Sequence, residues 1–136
     1  MKQEELREFA QGFLDAWNTQ EVERVVGVYT DDVVYLDPNT RGEVNGADAL
    51  RRYLTKLFEA WDMEWSFKQG HIAAENENVA TVLWHATLRR DGGEKEVEVD
   101  GMDLVVVEGD RILRNEVYFD RAVLAPLLAE TAQASA

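Results

Sequence analysis

Apolar residues recur at intervals of three and four in three stretches of the chain, which is the spacing of one face of an α-helix. The stretches are residues 6–17, 22–29 and 50–61, with polar or charged residues between the apolar ones. Thr19 precedes the second stretch and is a residue type that caps helix N-termini, and Asn45-Gly46 opens the third stretch. The pattern therefore predicts three helices in the first half of the chain.

Strand patterns occupy the remainder of the chain. A short apolar segment at residues 33–36 predicts a strand between the second and third helices. After Met63, polar or glycine-bearing turns separate four longer strand segments, which are residues 64–74, 79–90, 94–108 and 111–120. Gly70 and Gly101 lie inside these segments, where glycine commonly marks a bulge or a bend, so we expect the sheet to curl.

Three helices on one side of a curled, mostly antiparallel sheet define an α+β fold, a cone-shaped half-barrel with an apolar pocket at its mouth. The length of 136 residues suits one domain, which we place at residues 1–130. Residues 121–130 contain Pro126 and predict a closing helical turn rather than one uninterrupted helix. Residues 131–136 are expected to form a flexible tail.

The composition is 46% hydrophobic with a formal net charge of −13, which is a globular mixture with an acidic surface. Such a surface repels phosphate backbones and anionic headgroups, so neither nucleic acid nor a membrane is an expected partner. The chain has no cysteine, which excludes disulfides, thiolate metal sites and cysteine nucleophiles. The charged start lacks the pattern of a signal peptide, and a cytoplasmic location is expected.

Asp37 ends the first strand, and alternation places it on the same face as Val33 and Tyr35. Two interpretations are open. The carboxylate either lines a pocket among apolar side chains, or it belongs to a turn in which it accepts hydrogen bonds from the backbone N–H groups of Asn39 or Thr40.

Asp103 is a second carboxylate in the middle of an otherwise apolar strand face. It either lines a pocket or is a structural side chain held by hydrogen bonds or a basic partner. Without a cation nearby, burial would favour its neutral form and make it a hydrogen-bond donor. His85 lies in a strand with apolar residues on both faces, so it could transfer protons or be a satisfied core histidine. Asn115 is a lone amide on an apolar face and could orient a substrate carbonyl or bond a neighbour.

Several chemistries lack the residues that they need. No HExxH segment, glycine-rich phosphate loop or EF-hand spacing occurs, and the two serines offer no triad. We therefore expect no metal site and no cofactor. Two carboxylates and an imidazole in a dry pocket can move protons.

The order of elements, together with several short segments, resembles the SnoaL-like and ketosteroid-isomerase-like branch of the nuclear transport factor 2-like superfamily. The resemblance covers nearly the whole chain. Its most informative segments are Ala16-Trp17-Asn18, residues 29–33 and 35–38, Asn45-Gly46, residues 108–112 and Tyr118-Phe119-Asp120.

The resemblance implies roles for individual residues. Ketosteroid isomerase has its aspartate base at the position of Asp37 and its protonated oxyanion-hole aspartate at that of Asp103. Its oxyanion-hole tyrosine falls at Phe13, which has no hydroxyl group. In SnoaL-like cyclases a histidine often occupies the place of Asp103, and an acid near the end of the last strand has Asp120 as its nearest match.

The residues and the resemblance together indicate a cofactor-free proton-transfer enzyme, of isomerase or cyclase type, for a small hydrophobic carbonyl compound. Asp37 would be the base and Asp103 a neutral donor, with His85 or Asn115 as a polar helper. The side chains predicted to contact the substrate are Phe13, Trp17, Tyr35, Asn115, Val117 and Phe119.

The alternative is a non-catalytic domain that binds a small ligand or mediates dimerisation, and the missing hydroxyl at Phe13 favours it. The resemblance also implies a homodimer through the outer face of the sheet. Arg114 and Glu116 would lie on that face and could form a polar, self-complementary contact.

Overall fold

Two helices, a strand, a third helix and a run of long strands follow one another, as the periodicity predicts. The computed structural model describes residues 1–129, so the predicted tail at 131–136 and the predicted domain end at 130 lie outside the described residues. The elements are α1 (Gln3–Asn18), α2 (Val22–Val26), β1 (Tyr29–Leu36), β2 (Val44–Asn45), α3 (Ala47–Ala60), β3 (Trp61–Ala73), β4 (Asn76–Arg90), β5 (Glu96–Glu108), β6 (Arg111–Tyr118) and a 3₁₀ turn (Arg121–Leu124).

The strands form one sheet in the order β2-β1-β6-β5-β4-β3. All neighbouring strands are antiparallel except β1 and β6, which pair in parallel. Register shifts interrupt the β3–β4, β1–β6 and β5–β6 ladders, and such irregularities bend and twist a sheet. The sheet stays open, with β2 and β3 at its edges, and the predicted α+β half-barrel is confirmed.

The core lies between the concave sheet face and the helices. One face of α1 is buried, as its three- and four-residue spacing predicts, and α3 contributes Leu50 and Leu54. In β4 every second residue is buried, from Ala80 through Trp84 to Leu88. Each large apolar side chain that is removed from water in this way contributes about 1.5 to 3 kcal/mol. Between residues 1 and 129 no helix is long and apolar enough to cross a lipid bilayer.

The second helix is shorter than predicted and begins differently. It ends at Val26, before Gly27, and Tyr29 is a buried residue of β1 instead. The prediction that Thr19 caps this helix is wrong, because the N-cap residue is Glu21. The Thr19 hydroxyl donates to the carbonyl of Ala16 and accepts from the N–H of Glu21, so it ties the end of α1 to the loop.

The two strand glycines have different roles. A bulge in β3 lies between Phe67 and Gln69, just before Gly70. Gly101 was expected at a bulge or bend too, but it pairs with Trp84 in a regular part of the β4–β5 ladder. A Cβ atom at Gly101 would lie 2.7 Å from Trp84 Cζ2, so this glycine is needed to leave room for the indole ring.

Candidate functional site

Asp37 accepts four hydrogen bonds at the end of β1. Its Oδ1 accepts from the backbone N–H groups of Asn39 (2.7 Å) and Thr40 (3.0 Å), which confirms the predicted turn. Its Oδ2 accepts from the phenol hydroxyls of Tyr35 (2.7 Å) and Tyr53 (2.6 Å). The same carboxylate also lines a cavity, so the two interpretations of this residue are both correct.

The two phenols stay neutral donors over the working pH range. Burial raises the pKa of Tyr35 well above its usual value, and the charge of Asp37 raises it further. The pKa of Tyr53 is raised for the same two reasons in the same order. Tyr35 comes from β1 and Tyr53 from α3, so the carboxylate joins a strand to the helix that packs on it.

Two small cavities adjoin on the concave side of the sheet. Asp37 lines the first cavity, in which the centre of a water molecule can occupy about 30 Å³. Asp103 lines the second cavity, where this volume is about 20 Å³. Four side chains line both cavities, namely Trp17, Tyr35, Trp65 and Val117. A water molecule needs roughly 10 to 15 Å³ on this measure, so each cavity has room for only one or two waters.

Asp103 is 5% exposed and accepts a hydrogen bond from the indole N–H of Trp84 at 2.9 Å. Burial raises the pKa of Asp103 from its usual 3.8 to about 7, and the negative charge of Asp37 acts in the same direction. The Trp84 N–H and the amide of Asn115 act in the opposite direction, with a smaller effect. Near neutral pH this carboxyl group is therefore present in both forms, and its protonated form can donate to a ligand oxygen.

A chain of buried hydrogen bonds holds the wall of the second cavity. The indole N–H of Trp17 donates to the Tyr29 hydroxyl at 3.1 Å, and that hydroxyl donates to Asn115 Oδ1 at 2.7 Å. The Asn115 amide points its Nδ2 at the Leu104 carbonyl, 3.5 Å away. Asn115 thus bonds its neighbours, which was one of the two predicted roles, and it also lines the cavity.

All six side chains predicted to contact a substrate line one or both cavities. Phe13 and Asn115 line the second, Phe119 lines the first, and the other three, Trp17, Tyr35 and Val117, line both. Their contact with a substrate stays a prediction.

The structure does not bring His85 to the two acids, which corrects its predicted role as a catalytic helper. Its neighbours Trp84 and Ala86 are buried on the concave side, so the imidazole lies on the outer face with its side chain 39% exposed. There Nδ1 is 2.8 Å from Asp100 and Nε2 is 3.3 Å from Glu98, and hydrogen bonds to both raise the pKa of His85. His85 lines neither of the two cavities and is not a core histidine.

A family model for the SnoaL-like domain matches residues 10–115. The chain belongs to the SnoaL-like domain family. No curated protein matches the chain.

Solved structures share the fold of this SnoaL-like domain over nearly its whole length. A candidate isomerase from Bacillus subtilis has a TM-score of 0.82 at 11% identity, over 96% of this chain and 97% of its own. A protein from Catenulispora acidiphila with a ketosteroid isomerase-like fold, in complex with trimethylamine, has a TM-score of 0.77 at 13% identity, over 92% of each chain. A candidate SnoaL-like polyketide cyclase from Jannaschia has a TM-score of 0.74 at 14% identity, over 90% of each chain. Identities this low establish the fold alone.

Asp120 does not reach the cavities of the SnoaL-like domain. Its exposed carboxylate accepts from the N–H of Ala122 at 3.0 Å and caps the 3₁₀ turn. The acid that the resemblance suggested near the end of the last strand is therefore a capping residue here.

Sequence reasoning missed two important residues of the site. Tyr53 lies on the apolar face of α3, where its spacing predicts only core packing. Trp65 lies two residues after Met63, on the same concave face of β3. Among residues 1–129 no group of three or more histidine, aspartate or glutamate side chains is placed to hold a metal ion.

Proposed function

We propose that this SnoaL-like domain is a cofactor-free proton-transfer enzyme, of isomerase or cyclase type, that acts on a small hydrophobic carbonyl compound. One observation carries the proposal. A hydrogen-bond-accepting carboxylate, Asp37, and a buried, partly protonated carboxyl group, Asp103, line adjoining cavities whose shared walls are aromatic and apolar. A base and an acid in different environments are the pair that such a reaction needs.

In the proposed reaction Asp37 removes a proton from the carbon next to the carbonyl group. The C–H electron pair forms the C=C bond of an enolate, and the carbonyl π pair moves to the oxygen, which accepts a hydrogen bond from protonated Asp103. When the substrate carries a C=C bond conjugated with this enolate, return of the proton from Asp37 to the far carbon of the dienolate moves the C=C bond and completes an isomerisation. In a cyclisation the nucleophilic carbon instead attacks a second carbonyl carbon of the same molecule, and the new alkoxide takes the proton.

The geometry sets two requirements on this reaction. Both oxygens of Asp37 already accept two hydrogen bonds, so one donor must rotate away when the carboxylate takes a proton, and a phenol hydroxyl of Tyr35 or Tyr53 can do so most easily. The free space is small, so a ligand of more than a few heavy atoms enters only if side chains of the cavity walls move. A small substrate fits these requirements best.

Exchange of the α-protons of cyclohexanone in D₂O, followed by NMR, tests the proposal. The Asp37→Asn variant keeps the size of the side chain and removes the base, so we expect exchange to fall by about 100-fold or more. The matched control is Asp120→Asn, which alters an exposed capping acid outside the cavities and should leave the rate unchanged. Equal rates in the wild type and Asp37→Asn would rule out the proposed base.

The second candidate function is binding without catalysis, and the lining of the first cavity favours it. That lining combines aromatic rings with one carboxylate and, within the described residues, includes no lysine or arginine. Aromatic faces beside a negative charge suit a small organic cation, and the structural neighbour from Catenulispora acidiphila is in complex with trimethylamine. Calorimetric titration with trimethylammonium chloride, with Asp37→Asn as the weakened variant, separates this candidate from the first.

We also propose that the chain forms a homodimer through the outer face of its sheet. Half-buried apolar side chains occupy the centre of this face, namely Leu83, Met102, Leu104 and Val106. Charged residues surround them, including Arg114, which donates to Glu116 at 2.7 Å. An apolar centre with a polar rim is the usual composition of a protein interface.

A further inference from the structure

The indole N–H of Trp65 is buried and has no hydrogen-bond partner among the described residues. The two tryptophans whose rings contact that of Trp65 are satisfied, because Trp17 donates to Tyr29 and Trp84 donates to Asp103. A buried donor without an acceptor costs about 1 to 3 kcal/mol, and such groups are rare in native proteins. The unpaired N–H therefore needs an explanation.

The backbone of Trp65 is held firmly. The side chain of Asn18, at the end of α1, accepts from the Trp65 N–H at 2.7 Å and donates to the Trp65 carbonyl at 2.9 Å. The Trp65 ring lies 4.7 Å from that of Trp84, at 90°, and 6.1 Å from that of Trp17. An indole ring can accept a hydrogen bond only through its π face, which is a weak acceptor, so a ligand oxygen would be a better partner for the Trp65 N–H.

Trp65 also lies where a donor is missing. It lines the second cavity together with Asp103 and Phe13. Phe13 occupies the position at which the resemblance places a tyrosine donor, and it has no hydroxyl group. One wall of this cavity therefore carries a carboxyl group that can donate, and a second wall carries an indole with an unused donor.

We propose that the Trp65 indole N–H donates a hydrogen bond to the carbonyl oxygen of the ligand, alongside Asp103, and so supplies the second donor that Phe13 lacks. This assignment rests on the proposed carbonyl substrate. The donor gains importance as the oxygen becomes negative in the enolate, because most of the cavity lining is apolar or aromatic and offers the oxygen few other donors. The assignment requires that the Trp65 N–H and the Asp103 carboxyl group, which line the same cavity, both reach one ligand oxygen.

The first test uses the wild-type protein and does not depend on catalysis. In protein labelled with ¹⁵N-tryptophan, the indole N–H signal of Trp65 is assigned by its loss in Trp65→Phe. Addition of cyclohexanone should move this signal downfield, whereas methylenecyclohexane, which has a similar shape and no oxygen, should not. The indole signals of Trp17 and Trp84, which already have acceptors, should move less. A Trp65 signal that stays in place at saturating ketone overturns the assignment, whether or not other signals move.

The second test measures cyclohexanone exchange in Trp65→Phe, which keeps an aromatic ring and removes the N–H. Loss of one oxyanion donor typically lowers the rate by about 100- to 1,000-fold, and we expect a decrease in this range. Full activity in Trp65→Phe together with an unmoved NMR signal defeats the inference and leaves the proposed reaction intact. A downfield shift in a wild-type protein that shows no exchange supports the donor and defeats the proposed reaction, so the two failures are distinguishable.

Discussion

At the scale of single residues, the two acids differ because their surroundings differ. Asp37 sits at a strand end and receives two backbone and two phenol donors. Asp103 lies in the middle of β5, is almost fully buried, and receives one indole N–H. Burial penalises the charge of Asp103 more strongly than the Trp84 N–H and the Asn115 amide offset that penalty, which is why the pKa of Asp103 rises to about 7.

The raised pKa of Asp103 predicts how stability depends on pH. Between 3.8 and 7 the folded protein holds a proton on Asp103 that the unfolded chain has released, so the free energy of unfolding falls as pH rises through this window. Asp103→Asn keeps an acceptor for Trp84 and carries no charge. We therefore expect the stability of Asp103→Asn relative to the wild type to increase by about 2 to 3 kcal/mol from pH 5 to pH 8.

Urea denaturation of both proteins at pH 5 and pH 8 measures this difference, and comparison of the two proteins cancels the titration of the other acids. Above pH 8 the difference should stay constant, because Asp103 is then ionised in both states. A difference that does not change with pH would mean that the carboxyl group titrates normally despite its burial.

Sequence reasoning could find Asp103 because it is a charged residue on an apolar strand face. It could not find the unpaired N–H of Trp65, on which the proposed donor role rests, because that feature depends on which rings surround the indole and at what angle. Spacing along a chain carries no such information. The hydrogen bond from Tyr53 to Asp37 could not be predicted for a similar reason, since only the packing of α3 on β1 brings the Tyr53 hydroxyl to Asp37.

At the scale of elements, the approach of β4 and β5 depends on Gly101. An added Cβ would meet both the Trp84 ring and the backbone carbonyl of Tyr118, the latter at 2.7 Å, and the backbone cannot move as easily as a side chain. Gly101→Ala should therefore lower the free energy of unfolding by about 1 to 3 kcal/mol, and it should disturb the indole that donates to Asp103.

Gly12→Ala is the matched control for this substitution. Gly12 is exposed in α1, and an added Cβ has no heavy atom within 4 Å. Alanine favours a helix over glycine, so this variant should gain about 0.5 to 1 kcal/mol. Chemical denaturation of both variants gives the comparison, and a Gly101→Ala protein as stable as the wild type would show that Trp84 can move aside.

The elements themselves could largely be predicted, because helical periodicity and strand alternation are strong over 12 to 16 residues, as in α1. The face of His85 could not. In β4 the outer face carries Leu83 and the concave face carries Trp84 and Ala86, so both faces look apolar in the sequence. Because the outer face is also partly apolar, the sequence does not show which face of β4 is buried and therefore does not show on which face His85 lies. The two-residue strand β2 was missed since it is too short to show alternation.

At the scale of the whole molecule, the same outer face accounts for both the wrong prediction of His85 and the proposed homodimer. Leu104 lies near its centre, beside Thr81 of β4 and Glu116 of β6, and is only partly buried in the single chain. With a net charge of −13, two chains repel each other at long range, so association must come from apolar contact at short range.

Leu104→Arg places a charge at the centre of this face and tests the proposed homodimer. In a symmetric dimer the two substituted residues would lie close to each other or in the apolar centre, where burial of an unpaired charge is costly, so we expect the variant to be monomeric. Thr55→Arg adds the same charge at an exposed position of α3 and should leave the dimer intact. Size-exclusion chromatography with light scattering at micromolar concentration measures the masses. A monomeric wild type contradicts the homodimer, and a dimeric Leu104→Arg places the interface elsewhere on the molecule.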